Sequence, residues 1–234
     1  MTAAYLVTGT DTGVGKTTVA CAMAAALRAR GMRVGVAKPF ETGCAPGPDG
    51  TLLPADAQRL RFFAECAEPL DVICPYRCVE PLAPAVALER EGRRVDFAAL
   101  RALVAGIAAR HDVTLVEGAG GLLVPIEGAT TFCDLALEWG LPLVVVVGNR
   151  LGALNHAQLT VRHAESRGAA VAGYVVNALG PETNLAAATN LAMLERLLGP
   201  PLGVLPWLGE LGCDEAARAR LAGLEWPARL CSAS

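Results

Sequence analysis

Residues 9–18 read GTDTGVGKTT, between an apolar run, AYLVTG, and an alanine-rich segment that opens at Lys16. A strand, a glycine-rich turn and then Gly-Lys-Thr at the start of a helix is the order of a phosphate-wrapping loop. The usual loop places four residues between its two glycines. Here Gly9 and Gly15 are separated by five, and Thr10 stands where the first glycine belongs. The turn still places several backbone N–H groups around an anion, at the positive end of the helix dipole. Lys16 would reach the β and γ phosphates of a nucleotide, and Thr17 would offer its hydroxyl to Mg2+. Gly13 can absorb the backbone angle that an extra residue demands. A tight strand-to-helix turn without a nucleotide is the competing reading.

Outward from this loop, strand-like and helical segments alternate. KTTVACAMAAALRAR reads as a helix closed by Gly31, RVGVAKP as a strand, ADAQRLRFFAECA as a helix and DVICPYR as a short extended piece. A helix follows from Asp96 to Arg110. VTLVEG, LPLVVVVG and VAGYVVNAL are further strands, with helices from Asn155 to Arg167 and from Glu182 to Leu198, and LGVLPW is the last strand. Near-continuous Val/Leu strands separated by helices predict an α/β fold: a single doubly wound domain over residues 1–234, with a mostly parallel sheet flanked by helices. Ligands of such sheets lie beyond the carboxyl ends of the strands. Lys16, Lys38, Glu117, the stretch from Gly148 to Asn155, Asn177 and Pro206 all follow strands.

Composition narrows the partners. The 234 residues carry a net charge of −3 with no basic block, which argues against a nucleic-acid surface. No apolar run is long enough to span a bilayer. The first strand begins so near Met1 that no secretory segment is expected, and the cytoplasm is the expected compartment. The eight cysteines are scattered, and Cys74 and Cys78 lack the histidine or second pair a zinc site needs, so reduced, mostly buried thiols are expected. Of 20 lysines plus arginines, two are lysine, Lys16 and Lys38. A compact ammonium and a planar fork differ in reach and geometry, so a chain this biased toward arginine keeps lysine where a guanidinium will not serve. Chance codon drift is the alternative.

Other positions carry chemistry with an ordinary reading beside it. Glu117, in TLVEGAGG, reads as a Mg2+ ligand beside Thr17 or as a carboxylate at a strand end; Gly118, Ala119 and Gly120 would let a ligand approach the backbone. Asp56 reads first as a helix N-cap. Lys38 at the ligand edge suits phosphoryl transfer, where catalysis is mostly positioning and charge stabilisation, or is an exposed lysine. Thr42 and Gly43 could add a hydroxyl and an amide to the same cleft. Asn155 reads as an N-cap, with the amides of Gly152 to Leu154 as a second anion site or simply as a capped turn. Asn177 could bond an adenine edge or close a turn.

Taken together these motifs resemble the dethiobiotin synthetase family. That family's loop reads GTDTxVGKT, with the five-residue spacing. The likeness continues through Lys38-Pro39 with Thr42-Gly43, Val116 to Gly121, Leu151-Gly152 with Asn155-His156, Gly173 with Asn177, and Pro206 to Leu208, in family order. The resemblance implies ATP-dependent, Mg2+-dependent carboxylation and ring closure of 7,8-diaminononanoate to dethiobiotin. It implies that Thr17, Asp56 and Glu117 hold Mg2+, against the N-cap reading of Asp56. It makes Gly13, Val14, Gly15, Lys16, Thr17 and Thr18 the ATP phosphate site, Asn177, Pro206, Trp207 and Leu208 the adenine site, and Lys38 the catalytic lysine. Thr12, Lys16 and Thr42 would help place substrate and phosphate. A homodimer is implied, in which Gly152, Ala153 and Asn155 of one subunit grip the substrate carboxylate in the other. Gly13 departs from the glutamate of many members, Thr42 from the serine of some, and after Leu208 the likeness fades.

Two other classes use similar domains. A partition-type switch ATPase would carry a second lysine early in the loop, and Gly9 to Thr12 contain none. A glutamine-dependent amidating enzyme of cobalamin synthesis would need an appended glutaminase, for which the chain is expected to be too short.

Overall fold

The computed structural model describes residues 3–182 and 184–224. The chain opens with β1 (Ala3–Gly9), α1 (Lys16–Ala29) and β2 (Val34–Ala37). Short elements follow: β3 (Phe40–Thr42), β4 (Ala45–Pro46), β5 (Leu52–Leu53), α2 (Ala55–Ala64), α3 (Leu70–Ile73), β6 (Tyr76–Cys78) and α4 (Pro84–Arg90). The second half runs α5 (Phe97–Arg110), β7 (Val113–Gly121), β8 (Pro125–Glu127), β9 (Thr130–Thr131), α6 (Phe132–Trp139) and β10 (Leu143–Gly148). It ends with α7 (Ala153–Ser166), β11 (Val171–Asn177), α8 (Leu185–Leu198), β12 (Gly203–Leu205) and α9 (Glu215–Ala222).

Six strands form one parallel sheet in the order β12-β11-β10-β1-β7-β2. β1 lies between β10 and β7, where the winding reverses direction, and the phosphate loop leaves from its carboxyl end. That is the crevice in which open α/β sheets bind ligands. Side chains alternate between two cores. Tyr5, Val7, Val144 and Val146 face α1, α2 and α9, while Leu6, Val145 and Val147 face α4 to α8. β10 is buried along its whole length, which explains why its sequence shows no polar alternation. The doubly wound parallel sheet expected from the sequence is the observed architecture. No helix among the described residues is long and apolar enough to cross a membrane.

Several local expectations are corrected. DVICPYR is not extended throughout: Leu70–Ile73 forms one helical turn, with the N–H groups of Val72 and Ile73 donating to the Pro69 carbonyl. Pro75 disfavours helix at Cys74, and only then does Tyr76 open a strand beside Phe40. Asn155 is not an N-cap. Gly152, at φ 91°, fills that position, and Asn155 lies inside α7. α8 starts at Leu185, where Asn184 accepts from the Ala187 N–H, rather than at Glu182. Glu117 does not end its strand. β7 continues to Gly121 through a register shift, from Val7 opposite Glu117 to Gly9 opposite Gly121. α4, α6 and α9 are helices the sequence reading does not predict; α6 carries a capping box from Thr131 and Asp134. α9, beyond Leu208, packs Ala217 and Leu221 into the α1 core. Cys21, Cys44, Cys66, Cys74, Cys78 and Cys133 are buried and free, as expected; Cys231 lies outside the described residues.

Candidate active site

α1 begins without a side-chain cap, its N-cap Gly15 being left-handed at φ 85°. The first-turn N–H groups therefore keep no side-chain partner, the condition under which a helix start takes an anion. Gly13 is also left-handed, at φ 73°, as its reading required. Gly15 serves a second purpose. A Cβ there would lie 2.1 Å from the Asn177 amide nitrogen, so glycine alone lets the end of β11 approach the loop. Asn177 is buried and donates to the Val14 carbonyl at 2.9 Å, which commits one amide hydrogen to the loop and leaves its amide oxygen for another partner. Gly13, Gly15, Thr18, Asn177 and Pro206 to Leu208 line one cavity of about 230 Å³.

Beside it lies a cleft of about 350 Å³ that receives both lysines of the chain. Thr12, Gly13, Gly15, Lys16, Thr17 and Thr18 form one wall. Lys38, Thr42, Asp56, Glu117, Ala119 and Gly120 form the other. Gly118 is turned away; a Cβ on it would meet the Phe132 ring at 3.3 Å. Gly43, at φ 78°, packs against Pro81.

The centre of the cleft is an ion cluster assembled from four elements. The Lys38 ammonium, just after β2, donates to Glu117 Oε1 at 2.5 Å and to Asp56 Oδ2 at 2.8 Å. Thr17 Oγ1 donates to the same Glu117 oxygen at 2.7 Å. Lys38 and Glu117 are 3% and 1% exposed. Isolated charges at such depth are prohibitive, so the pairing is obligatory. Burial by itself would lower the Lys38 pKa, but Glu117 and then Asp56 outweigh it and hold the ammonium well above the ordinary lysine value. Lys16 goes the other way: burial lowers its pKa, and Lys38 adds to the lowering against the pull of Glu117. For Asp56, burial raises the pKa, but the Lys38 charge and hydrogen bond prevail and the carboxyl stays below its usual value. Asp56 is thus not the N-cap of α2. Its side chain points into the cleft, and Pro54 holds the cap position.

Sequence reasoning missed Glu41. It is 6% exposed in the same cleft and accepts the backbone N–H groups of Asp56 and Ala57 at 2.8 and 3.0 Å. Burial raises its pKa, against the two backbone bonds. A carboxylate flanked by Lys38 and Thr42, and a helix whose cap position is a proline, were the available signals. Gly152, Ala153 and Asn155 do not line this cleft. Their loop is tied to the phosphate loop by Arg150, which bonds Asp11 at 2.6 Å.

Two carboxylates and a hydroxyl converging at the phosphate loop are hard oxygen donors of the kind Mg2+ selects. Glu117 Oε2 is buried and accepts no hydrogen bond, which leaves that carboxylate oxygen free to ligate a cation.

The chain is similar to several known proteins. The AAA domain family model matches residues 3–214. The ATP-dependent dethiobiotin synthetase BioD of Anaeromyxobacter sp. (strain K) is 47% identical over 218 residues, 93% of this chain and 94% of that protein. The protein of the same name from Thermodesulfovibrio yellowstonii is 38% identical, over 96% of this chain and 97% of its own. Among solved structures, the MinC:MinD cell division protein complex of Aquifex aeolicus has a TM-score of 0.57 at 15% identity, covering 94% of this chain and 86% of that one. A putative plasmid partition protein from Borrelia burgdorferi has a TM-score of 0.56 at 10% identity, covering 94% of this chain and 97% of that one. At such identities the likeness is one of fold alone.

Proposed function

The chain belongs to the ATP-dependent dethiobiotin synthetase family, and from that premise we propose how its own residues carry the reaction. The enzyme carboxylates 7,8-diaminononanoate (7,8-diaminopelargonate) with CO2 and closes the ureido ring, using ATP and Mg2+ and releasing ADP and phosphate. One amine takes up CO2 as a carbamate. The carbamate oxygen attacks the γ-phosphorus and ADP leaves. The second amine then attacks the carbamic–phosphoric anhydride, closing the ring and expelling phosphate.

In this reading Gly13 to Thr18 wrap the phosphates, and Lys16 and Lys38 counter the charge that spreads over the transferring phosphoryl group. Thr17, Asp56 and Glu117 would hold Mg2+, which when bound neutralises phosphate charge. Asn177 and the segment from Pro206 to Leu208 hold the adenine. Thr12 and Thr42 place the diamine between the two walls of the cleft. Residues 1–234 act as one synthetase domain, in the cytoplasm. The observation that carries the reading is the arrival of both lysines in one cleft, with Lys38 bonded to Asp56 and Glu117. Lys38 comes from the strand after the loop, not from the loop itself.

A homodimer completes the site. Leu123, Leu151 and Leu159 are 51%, 85% and 62% exposed beside the α7 start, an apolar surface suited to a second copy. There Gly152, Ala153 and Asn155 would reach the substrate carboxylate of the opposite subunit. Sedimentation equilibrium is expected to give a dimer; a monomer at micromolar concentration would remove this part. The catalytic reading is tested by steady-state ATP turnover with and without diamine and bicarbonate. Turnover should depend on both, and hydrolysis indifferent to the diamine would sink it.

A further inference from the structure

α2 carries Asp56 in its first turn, yet it starts from Pro54, which offers no side-chain acceptor. The first N–H groups of a helix need acceptors from somewhere. Here both come from a residue 15 positions earlier in another element: the Glu41 carboxylate, on β3, takes the Asp56 N–H with one oxygen and the Ala57 N–H with the other. A buried anion at this end of a helix is favoured by the dipole. The consequence reaches the chemistry. Glu41 grips the backbone of the residue whose side chain bonds Lys38, and Glu41 lies three residues beyond Lys38 on the same segment. Two backbone N–H groups held by one buried carboxylate therefore tie the start of α2 to the segment that carries Lys38.

We propose that Glu41 is a positioning residue for the divalent cation: its two-oxygen clasp on the start of α2 presents Asp56 as a ligand. The inference rests on the reading in which Thr17, Asp56 and Glu117 hold the ion. A carboxylate is required because both its oxygens accept; the glutamine amide has one acceptor and would set its NH2 against a backbone N–H. Residues that orient metal ligands from behind affect affinity by roughly 10–100-fold when altered.

The test titrates Mn2+ into the ADP-saturated protein and follows the electron paramagnetic resonance signal of the bound ion, with a thermal midpoint recorded for each variant. Glu41→Gln should weaken Mn2+ binding roughly tenfold or more. Adding Pro54→Ser supplies a local cap. That double variant should regain thermal stability but not Mn2+ affinity, and it keeps the experiment readable if the single variant melts early. Unchanged Mn2+ affinity in Glu41→Gln would reduce Glu41 to a helix cap. Recovery of affinity in the double variant would show that any cap suffices and would equally overturn the inference. Asp56→Asn is the control for the underlying reading: if it binds Mn2+ like the wild type, the ligand assignment itself fails.

Discussion

An ion pair stands at each end of the segment over which β2 and β7 pair. At their amino ends Arg33 meets Asp112, 2.6 Å apart with side chains 66% and 38% exposed. At the carboxyl side Lys38 meets Glu117, 2.5 Å apart with side chains 4% and 1% exposed. One pair is in water, where attraction is weak and screened and an ion pair is worth little. The other has lost its water on both sides, and its desolvation can exceed its attraction. Stability explains the first pair adequately. It does not explain why a chain would bury the second, and the difference marks the carboxyl edge as the place where charge is kept for chemistry.

The sharpest way to break the comparison is to remove Lys38. Lys38→Met leaves Glu117 buried without its cation, and such uncompensated charges cost about 3–5 kcal/mol. Turnover should fall by roughly 10²–10³-fold, as when a charge-stabilising donor is deleted. Adding Glu117→Gln removes the stranded charge, so urea unfolding should recover most of the lost stability while turnover stays lost. If activity returned with stability, the pair would be structural like its exposed counterpart. Lys38→Arg keeps the charge but replaces a compact ammonium by a planar fork, and should also lose turnover. Near-normal activity would make the scarcity of lysine a coincidence.

What was legible at this edge depended on whether the signal was local. The phosphate loop was read from ten consecutive residues because backbone N–H groups do the work and spacing fixes them. Lys38 stood out by composition, and both lysines are indeed buried in the cleft. Local residues suggest Asp56 as a cap, a reading the family resemblance sets aside, and it fails because the acceptor of these N–H groups, Glu41, belongs to another element. Asn155 was misread for the converse reason: its preference for caps was real, but Gly152 could adopt φ 91° and start α7 earlier. The extension of β7 past Glu117 had no sequence signal, since it depends on a register shift against β1. Long parallel strands survived these errors because their apolar runs are set by burial on both faces.

A smaller effect separates the two edges through glycine. Gly15, at the carboxyl edge, and Gly31, in the turn before β2, have nearly equal backbone angles, φ 85° and 82°. Alanine at either position pays the left-handed penalty of roughly 1–2 kcal/mol. Around Gly31 a Cβ finds open space, whereas at Gly15 it collides with Asn177. Gly31→Ala should therefore shift the thermal midpoint and leave the KM for ATP alone, while Gly15→Ala should also raise that KM at least several-fold. Equal effects on KM would mean that the approach of Asn177 to the loop has no part in holding the nucleotide.

The smallest expected effect lies back at the exposed pair, and its sign can be worked out. Hydrogen bonds from the Arg33 side chain and then from its backbone N–H lower the Asp112 pKa from 3.8 to about 2. A carboxylate whose pKa is depressed on folding contributes stability above its unfolded value, and that contribution is lost as pH falls through the folded value. Asp112→Asn should thus be slightly less stable than the parent at pH 5 and above, with the gap closing between about pH 4 and pH 2. Urea midpoints of the two proteins across that range would follow it, and high salt should shrink the gap at pH 7. Turnover at saturating substrate should not change, because Asp112 precedes β7 at the amino edge and does not line the cleft. A salt-resistant gap, or a loss of turnover, would mean that the two ends of this strand pair are coupled rather than merely alike in composition.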